Sequence, residues 1–177
     1  MHNAGLHIFD TAIGPCGSAW RGQGIAGLQL AEGTAAATLA RLRKRFPDLD
    51  EATPDADVSA VEAAVIALLA GGNPSFDFVQ LDMRGVPEFH QQVYAIARGI
   101  ARGHTPPYGD IARRLGDVGL SRAVGQALGA NPFAPVVPCH RVLGASGNGG
   151  FSAHGGVGTK LRMLAIEDTK GLQFSMF

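Results

Sequence analysis

Apolar positions along the chain fall into segments of two periods, separated by clusters of Gly and Pro. Leu6 to Ala12 and Ile25 to Leu30 read as strands, with turn signals at Gly14-Pro15 and at Arg21-Gly22-Gln23-Gly24, and Trp20 packs between them. A helix follows an N-cap at Thr34: Leu39, Leu42 and Phe46 recur at helical spacing, Arg41, Arg43, Lys44 and Arg45 mostly face away, and Pro47 ends it. In the next helix, Ser59 and Glu62 read as a capping box before Val65, Ile66, Leu68 and Leu69, and Gly71-Gly72 stops it. Phe76 to Leu81, after the Asn73-Pro74 turn, reads as a third strand, and Arg84-Gly85-Val86-Pro87 as a linker.

Beyond the linker the pattern is helical. From about Glu88, Phe89, Val93, Ile96 and Ile100 make one stripe. The loop Gly103-His104-Thr105-Pro106-Pro107 presents Tyr108 at the entry of a short helix through Leu115. Gly116 to Leu120 form a turn, and Ser121 is read as the cap of a helix of about nine residues that ends at Gly129 and is kept short by Pro132. Helix, short turn, helix is a helix-turn-helix. The class is therefore α+β: a small N-terminal α/β domain of about three strands and two helices over residues 1–83, then a mainly helical domain over 84–177.

Composition narrows the possibilities. A chain of 177 residues with 46% apolar content can bury a real core, and runs such as Ala63 to Ala70 are too short to span a bilayer. No basic region followed by a signal-type apolar core opens the chain, so a cytoplasmic protein without a membrane partner is expected. The two cysteines, Cys16 and Cys139, cannot form a disulfide framework, and the six histidines lack metal spacing, so no metal is expected. Net charge is zero, but it is unevenly placed. Residues 1–83 carry five Lys/Arg against ten Asp/Glu, and residues 84–177 carry ten against five, which puts any phosphate-binding face on the half that holds Cys139.

The candidate chemistry lies in Val136-Val137-Pro138-Cys139-His140-Arg141-Val142. A cysteine reacts as thiolate, and here a titratable imidazole and a permanent cation follow it directly. On an extended chain adjacent side chains point to opposite faces, so Cys139 and His140 can cooperate only across a turn or through water. On these residues alone an inert buried cysteine stands as the alternative. The second helix of the helix-turn-helix offers one Arg and one Gln among Ala, Val, Leu and Gly, too few polar groups to read a base sequence. Small residues at Ala123, Gly125 and Ala127 would instead let it lie close against DNA of any sequence.

Taken in order, Ser121-Arg122-Ala123-Val124-Gly125-Gln126-Ala127-Leu128-Gly129, Asn131-Pro132, Pro138-Cys139-His140-Arg141, Gly149-Gly150-Phe151-Ser152, Lys160 and Glu167 resemble the O6-alkylguanine-DNA alkyltransferases, over about Phe89 to Glu167. The resemblance implies a suicidal methyltransferase that flips O6-alkylguanine, with O4-alkylthymine as a second lesion, out of double-stranded DNA and takes the alkyl group onto Cys139. It further implies His140 as a base acting through water, Glu167 orienting the imidazole, Asn131 as a hinge, and Tyr108 acting at the phosphate and as proton donor to the flipped base. Arg122 would fill the vacated stack, in a DNA-contacting set with Ser121, Ala123, Gly125 and Tyr108. Leu128 and Val142 would line the alkyl side, and Gly150, Phe151 and Ser152 would form the pocket wall, Ser152 near O6. No cofactor is implied, and the protein would act as a monomer. Two features depart from the family pattern: the lid through His154 is longer than usual, and Ala101 stands where Pro is common. Competing readings are a non-repairing alkyltransferase-like damage binder, whose class lacks the acceptor cysteine, a helix-turn-helix regulator, and a Cys-His-Glu hydrolase.

Overall fold

The structure is a computed structural model, described here for residues 4–144 and 156–167. The chain divides into two compact units, residues 1–84 with 132–136, and residues 85–131 with 137–177.

In the first unit three strands, β1 (Gly5–Thr11), β2 (Gly14–Arg21) and β3 (Gly24–Gln29), form an antiparallel meander in the order β1-β2-β3. Gly5 pairs with Trp20 and Thr11 with Gly14, and a register shift at Ala19/Trp20 interrupts the pairing of β2 with β3. Alternation along the strands splits the side chains between two helices. Leu6 and Ala19 join Leu42 and Leu49 in a buried cluster with Ile8, Leu39 and Phe46, on the side of α1 (Ala35–Arg45). His7 and Ser18, of the opposite parity, reach Glu62 on α2 (Ala56–Leu69).

α1 has the expected cap, Thr34 accepting from the Ala37 amide at 3.1 Å, but Arg45 does not face away. Its guanidinium crosses β3 and donates to the Leu28 carbonyl at 2.7 Å, the Gln29 side chain at 2.9 Å and the Pro132 carbonyl at 3.1 Å, which holds the 132–136 segment to the first unit. The capping box is corrected too. Asp55 is the N-cap of α2, accepting from Val58 N, so Ser59 lies within the helix and Glu62 is a buried carboxylate. Gly71, at φ 100°, turns the chain out of α2 where a side chain would be strained.

The expected strand at Phe76–Leu81 is not formed. A turn at residues 77–78 leaves Phe78 52% exposed, and a single bridge from Leu81 to Ile25 is all that reaches β3. The strand that completes the sheet is β2, whose Gly-Pro-Cys-Gly-Ser-Ala opening has little strand propensity and is held by its register with β1.

The second unit contains α3 (Glu88–Ala97), α4 (Tyr108–Arg114), α5 (Ser121–Gly129) and α6 (Val157–Ile166). The buried face of α3 is rotated from the expected stripe: Val93, Tyr94 and Ala97 are buried, with Ile100 just beyond the helix, whereas Phe89 and Ile96 are half-buried. The Tyr94 hydroxyl donates to the Ala127 carbonyl at 2.7 Å, which ties α3 to α5. α4 and α5 form the expected helix-turn-helix through a 3-10 turn at Val118–Leu120, capped by Asp117 onto the Gly119 amide at 2.8 Å. Leu120, not Ser121, is the N-cap of α5; the Ser121 hydroxyl donates backwards to the Val118 carbonyl at 2.7 Å.

Candidate active site

Cys139 lies in a 3-10 turn, Cys139–Arg141, and not on an extended chain. Pro138 leads into the turn, and hydrogen bonds from Arg141 N to Pro138 O at 2.9 Å and from Val142 N to Cys139 O at 3.2 Å close it. Upstream, Asn131 Nδ2 donates to the Val137 carbonyl at 2.8 Å, bridging the end of α5 to the approach of the turn. Downstream, Tyr108 N donates to Leu143 O and Leu143 N to Pro106 O, both at 3.0 Å, which fixes the start of α4 beside the segment that follows the Cys139 turn.

The thiol is 8% exposed, and burial pushes its pKa up because the thiolate is the form that loses hydration. A hydrogen bond from Asn131, the charge of Lys160 and backbone amides pull in the other direction without reversing the shift. Cys139 therefore rests as thiol and needs a base. His140, fully buried, bonds through Nε2 to Glu167 Oε2 at 2.8 Å. Burial would raise the Glu167 carboxyl, but hydrogen bonds from His140 and Arg141, together with the Arg141 charge, outweigh it and hold the pKa at about 2. An ionised carboxylate only accepts, so Nε2 carries the hydrogen and Nδ1 presents its lone pair. Nδ1 has no hydrogen-bond partner among the described residues, and burial keeps the imidazole neutral, lowering its pKa against the raising effect of Glu167. A neutral imidazole with a free lone pair is the state a general base requires.

Arg141 does not serve the thiol. Its guanidinium grips Glu167 with Nε to Oε1 at 2.9 Å and with a second nitrogen to Oε2 at 2.8 Å, and donates to the Ile100 carbonyl at 2.7 Å. The cation acting on Cys139 is Lys160, fully buried on α6, with Nζ donating to the Val142 carbonyl at 2.7 Å and a pKa lowered by burial to about 8. Tyr94 also feels the nucleophile: burial, then the Cys139 charge, push its phenol up to about 12. No pattern marked Tyr94 in the sequence, because the periodicity placed Ile96 on the buried face in its stead.

On α5, Val124, Ala127 and Leu128 are buried, Ser121, Ala123 and Gly125 are half-buried, and Arg122 is exposed together with Gln126, one turn on. The Tyr108 ring packs over Gly125, where a Cβ would meet Cε2 at 3.4 Å, an ordinary van der Waals contact. Val142 is buried beside the turn. Gly150, Phe151, Ser152 and His154 lie outside the described residues. A cleft of about 470 Å³ opens in the first unit along Trp20, Ile25, Val58, Val61 and Phe78 and contains none of this chemistry. Among the described residues no group of three or more His, Cys, Asp or Glu could hold a metal ion, and no helix is long and apolar enough to cross a membrane.

The chain is similar to known proteins over most of its length. A family model described as the DNA binding domain of 6-O-methylguanine DNA methyltransferase matches residues 88–169. The methylated-DNA–protein-cysteine methyltransferase of Mycobacterium tuberculosis is 37% identical over 163 residues, 91% of this chain and 90% of that protein. The crystal structure of Mycobacterium tuberculosis OGT in complex with DNA superposes with a TM-score of 0.71 at 34% identity, covering 92% of each chain. That of O6-methylguanine-DNA methyltransferase from the hyperthermophilic archaeon Pyrococcus kodakaraensis strain KOD1 gives 0.69 at 27% identity, covering 93% of this chain and 99% of that one.

Proposed function

The chain belongs to the methylated-DNA–protein-cysteine methyltransferases, and from that premise we propose how its own residues divide the work. The reaction is direct DNA repair: the alkyl group of O6-alkylguanine passes from DNA to a cysteine of the protein. The acceptor is Cys139. Its proton leaves through water to Nδ1 of His140, whose Nε2 is held by Glu167 at 2.8 Å, and this buried thiol–imidazole–carboxylate arrangement carries the reading. The thiolate displaces guanine in line: the S–C bond forms, the C–O6 bond breaks, and its electron pair passes to the purine. Tyr108, fixed beside the nucleophile segment, donates the proton that the leaving base needs and is reprotonated from solvent. Lys160 offsets the charge of the thiolate as it forms. A thioether does not return its alkyl group, so each molecule acts once.

Residues 84–177 bind DNA and transfer the alkyl group, and residues 1–83 support them. The helix-turn-helix meets duplex DNA through phosphates and the half-buried small face of α5, without reading a base sequence. Exposed Arg122 enters the stack when the damaged nucleotide leaves it, because a planar guanidinium can stack and hydrogen-bond the orphaned base together. Asn131 is the hinge between α5 and the turn, and Leu128 and Val142 line the alkyl side. All of these residues lie on one chain, so a monomer suffices, and a DNA substrate together with the protein's two free thiols, Cys16 and Cys139, fits a cytoplasmic location. A damage binder that does not repair would lack the acceptor that Cys139 supplies.

Intact-mass and peptide mass spectrometry after incubation with duplex DNA containing O6-methylguanine tests the reading. One methyl group per protein molecule, on Cys139, is expected. Methyl on Cys16, or more than one turnover per molecule, overturns it.

A further inference from the structure

Glu167 is the first residue beyond α6, and the last carbonyls of a helix have no partner within it. A residue in that position follows the fraying of the final turn unless something ties its main chain. Two arginines converge on it. Arg141 holds the carboxylate, and Arg102, half-buried in the turn between α3 and α4, holds the backbone: Nε donates to the Glu167 carbonyl at 3.1 Å and a terminal nitrogen to the Ile166 carbonyl at 3.4 Å. The two are linked through their own chain, since Arg141 also donates at 2.7 Å to Ile100, two residues before Arg102. A cation at the negative end of α6 is favoured by the helix dipole as well as by the hydrogen bonds.

We propose that Arg102 is a positioning residue for alkyl transfer, clamping the C-terminus of α6 so that the Glu167 carboxylate stays aligned on His140 Nε2. The proposal rests on His140 being the base. Arg102 touches neither the thiol nor the base, and it acts through Glu167. Without the clamp, the last turn of α6 moves more freely and Glu167 spends less time within reach of the imidazole. The groups that bear on His140 are Glu167, Arg141, Lys160 and the adjacent Cys139. Of these, Glu167 raises its basicity, so a loosened Glu167 leaves an imidazole that is a weaker base and takes up its own proton only at lower pH.

The test is single-turnover transfer from O6-methylguanine duplex and from free O6-benzylguanine, across a pH series and well below each variant's melting temperature. Arg102→Ala should slow both substrates by the same factor, about tenfold, a fraction of what a general base contributes. The acid limb of its pH–rate curve should shift to lower pH with the imidazole, so that the deficit is largest on the neutral plateau and shrinks as pH falls. Arg102→Lys, which keeps a charge and a donor, should recover most of the rate. In a Glu167→Gln background, Arg102→Ala should add no further loss. An unchanged pH profile with a uniformly lower rate would reduce Arg102 to a fold contact, and a loss confined to duplex DNA would move it to DNA binding; either overturns the proposal. If Arg102→Ala does not fold, the same displacement in smaller degree is required of Arg102→Lys. Methylation of wild-type Cys139 is scored alongside, so that failure of the family reaction and failure of the clamp are told apart.

Discussion

Replacing Glu167 by Gln should weaken the fold and slow the chemistry through one removed charge. The carboxylate accepts three charge-assisted bonds, from His140 Nε2 at 2.8 Å and from Arg141 at 2.9 and 2.8 Å, and is almost fully buried. An amide accepts at one end only, and its NH₂ would face a donor. Two routes give the magnitude. The carboxyl pKa falls from 4.5 to about 2 on folding, worth about 3 kcal/mol at neutral pH. Independently, stranding a buried arginine without its counter-charge costs about 3–5 kcal/mol. The sign over pH follows from the depressed folded pKa: the contribution is complete above 4.5 and is lost as pH falls through 2. Urea unfolding at pH 7 should therefore place Glu167→Gln about 3 kcal/mol below wild type, with the gap narrowing below pH 4.5 and closing towards pH 2. A gap under about 1 kcal/mol at pH 7, or one that does not change with pH, would refute the assignment of Glu167 as the buried counter-ion.

Arg122→Ala should slow repair of duplex DNA by an amount on the order of a few kcal/mol, the scale of unstacking a base, and leave reaction with free O6-benzylguanine almost unchanged. Equal losses on both substrates in single-turnover assays would show that Arg122 shapes the pocket or the fold. Glu62→Gln, which weakens the buried cluster with His7 and Ser18 in the first unit, should lower stability by about 1–3 kcal/mol while the transfer rate of the folded protein stays as it was. A urea midpoint identical to wild type would mean that the cluster contributes nothing.

The helices were legible where their ends carry local chemistry. Thr34 and Pro47 bracket α1, Pro87 precedes α3, and the Gly116-to-Leu120 turn separates α4 from α5. Errors arose where a distant partner decides. Ser59 and Glu62 have the spacing of a capping box, but Glu62 is taken by His7, 55 residues away, and Asp55 caps the helix in place of Ser59. Phe76 to Leu81 has the residues of a strand, whereas β2 has the neighbours of one. Arg45 sits in a run of basic residues that a solvated face explains, until β3 and Pro132 supply three acceptors. In each case propensity and spacing were local, and the deciding hydrogen bond was not.

The active site shows the same division, and it separates the motif from the mechanism. Adjacency of Cys139 and His140 permits cooperation only across a turn or through water; the 3-10 turn sets successive side chains roughly 120° apart, and the imidazole is buried against Glu167. A carboxylate 27 residues away fixes which nitrogen of His140 carries the hydrogen, and Arg141 belongs to that carboxylate, not to the thiol. Lys160, quoted in the sequence only as a family marker, is the cation that the thiolate meets. Gly125 makes the point for the DNA-facing helix. As a small residue on α5 it reads as clearance for a duplex, and the Tyr108 ring also packs against it, 3.4 Å from where a Cβ would stand. A side chain larger than alanine there would press on the Tyr108 ring as well as change the α5 surface, so lost activity in such a variant reports on both.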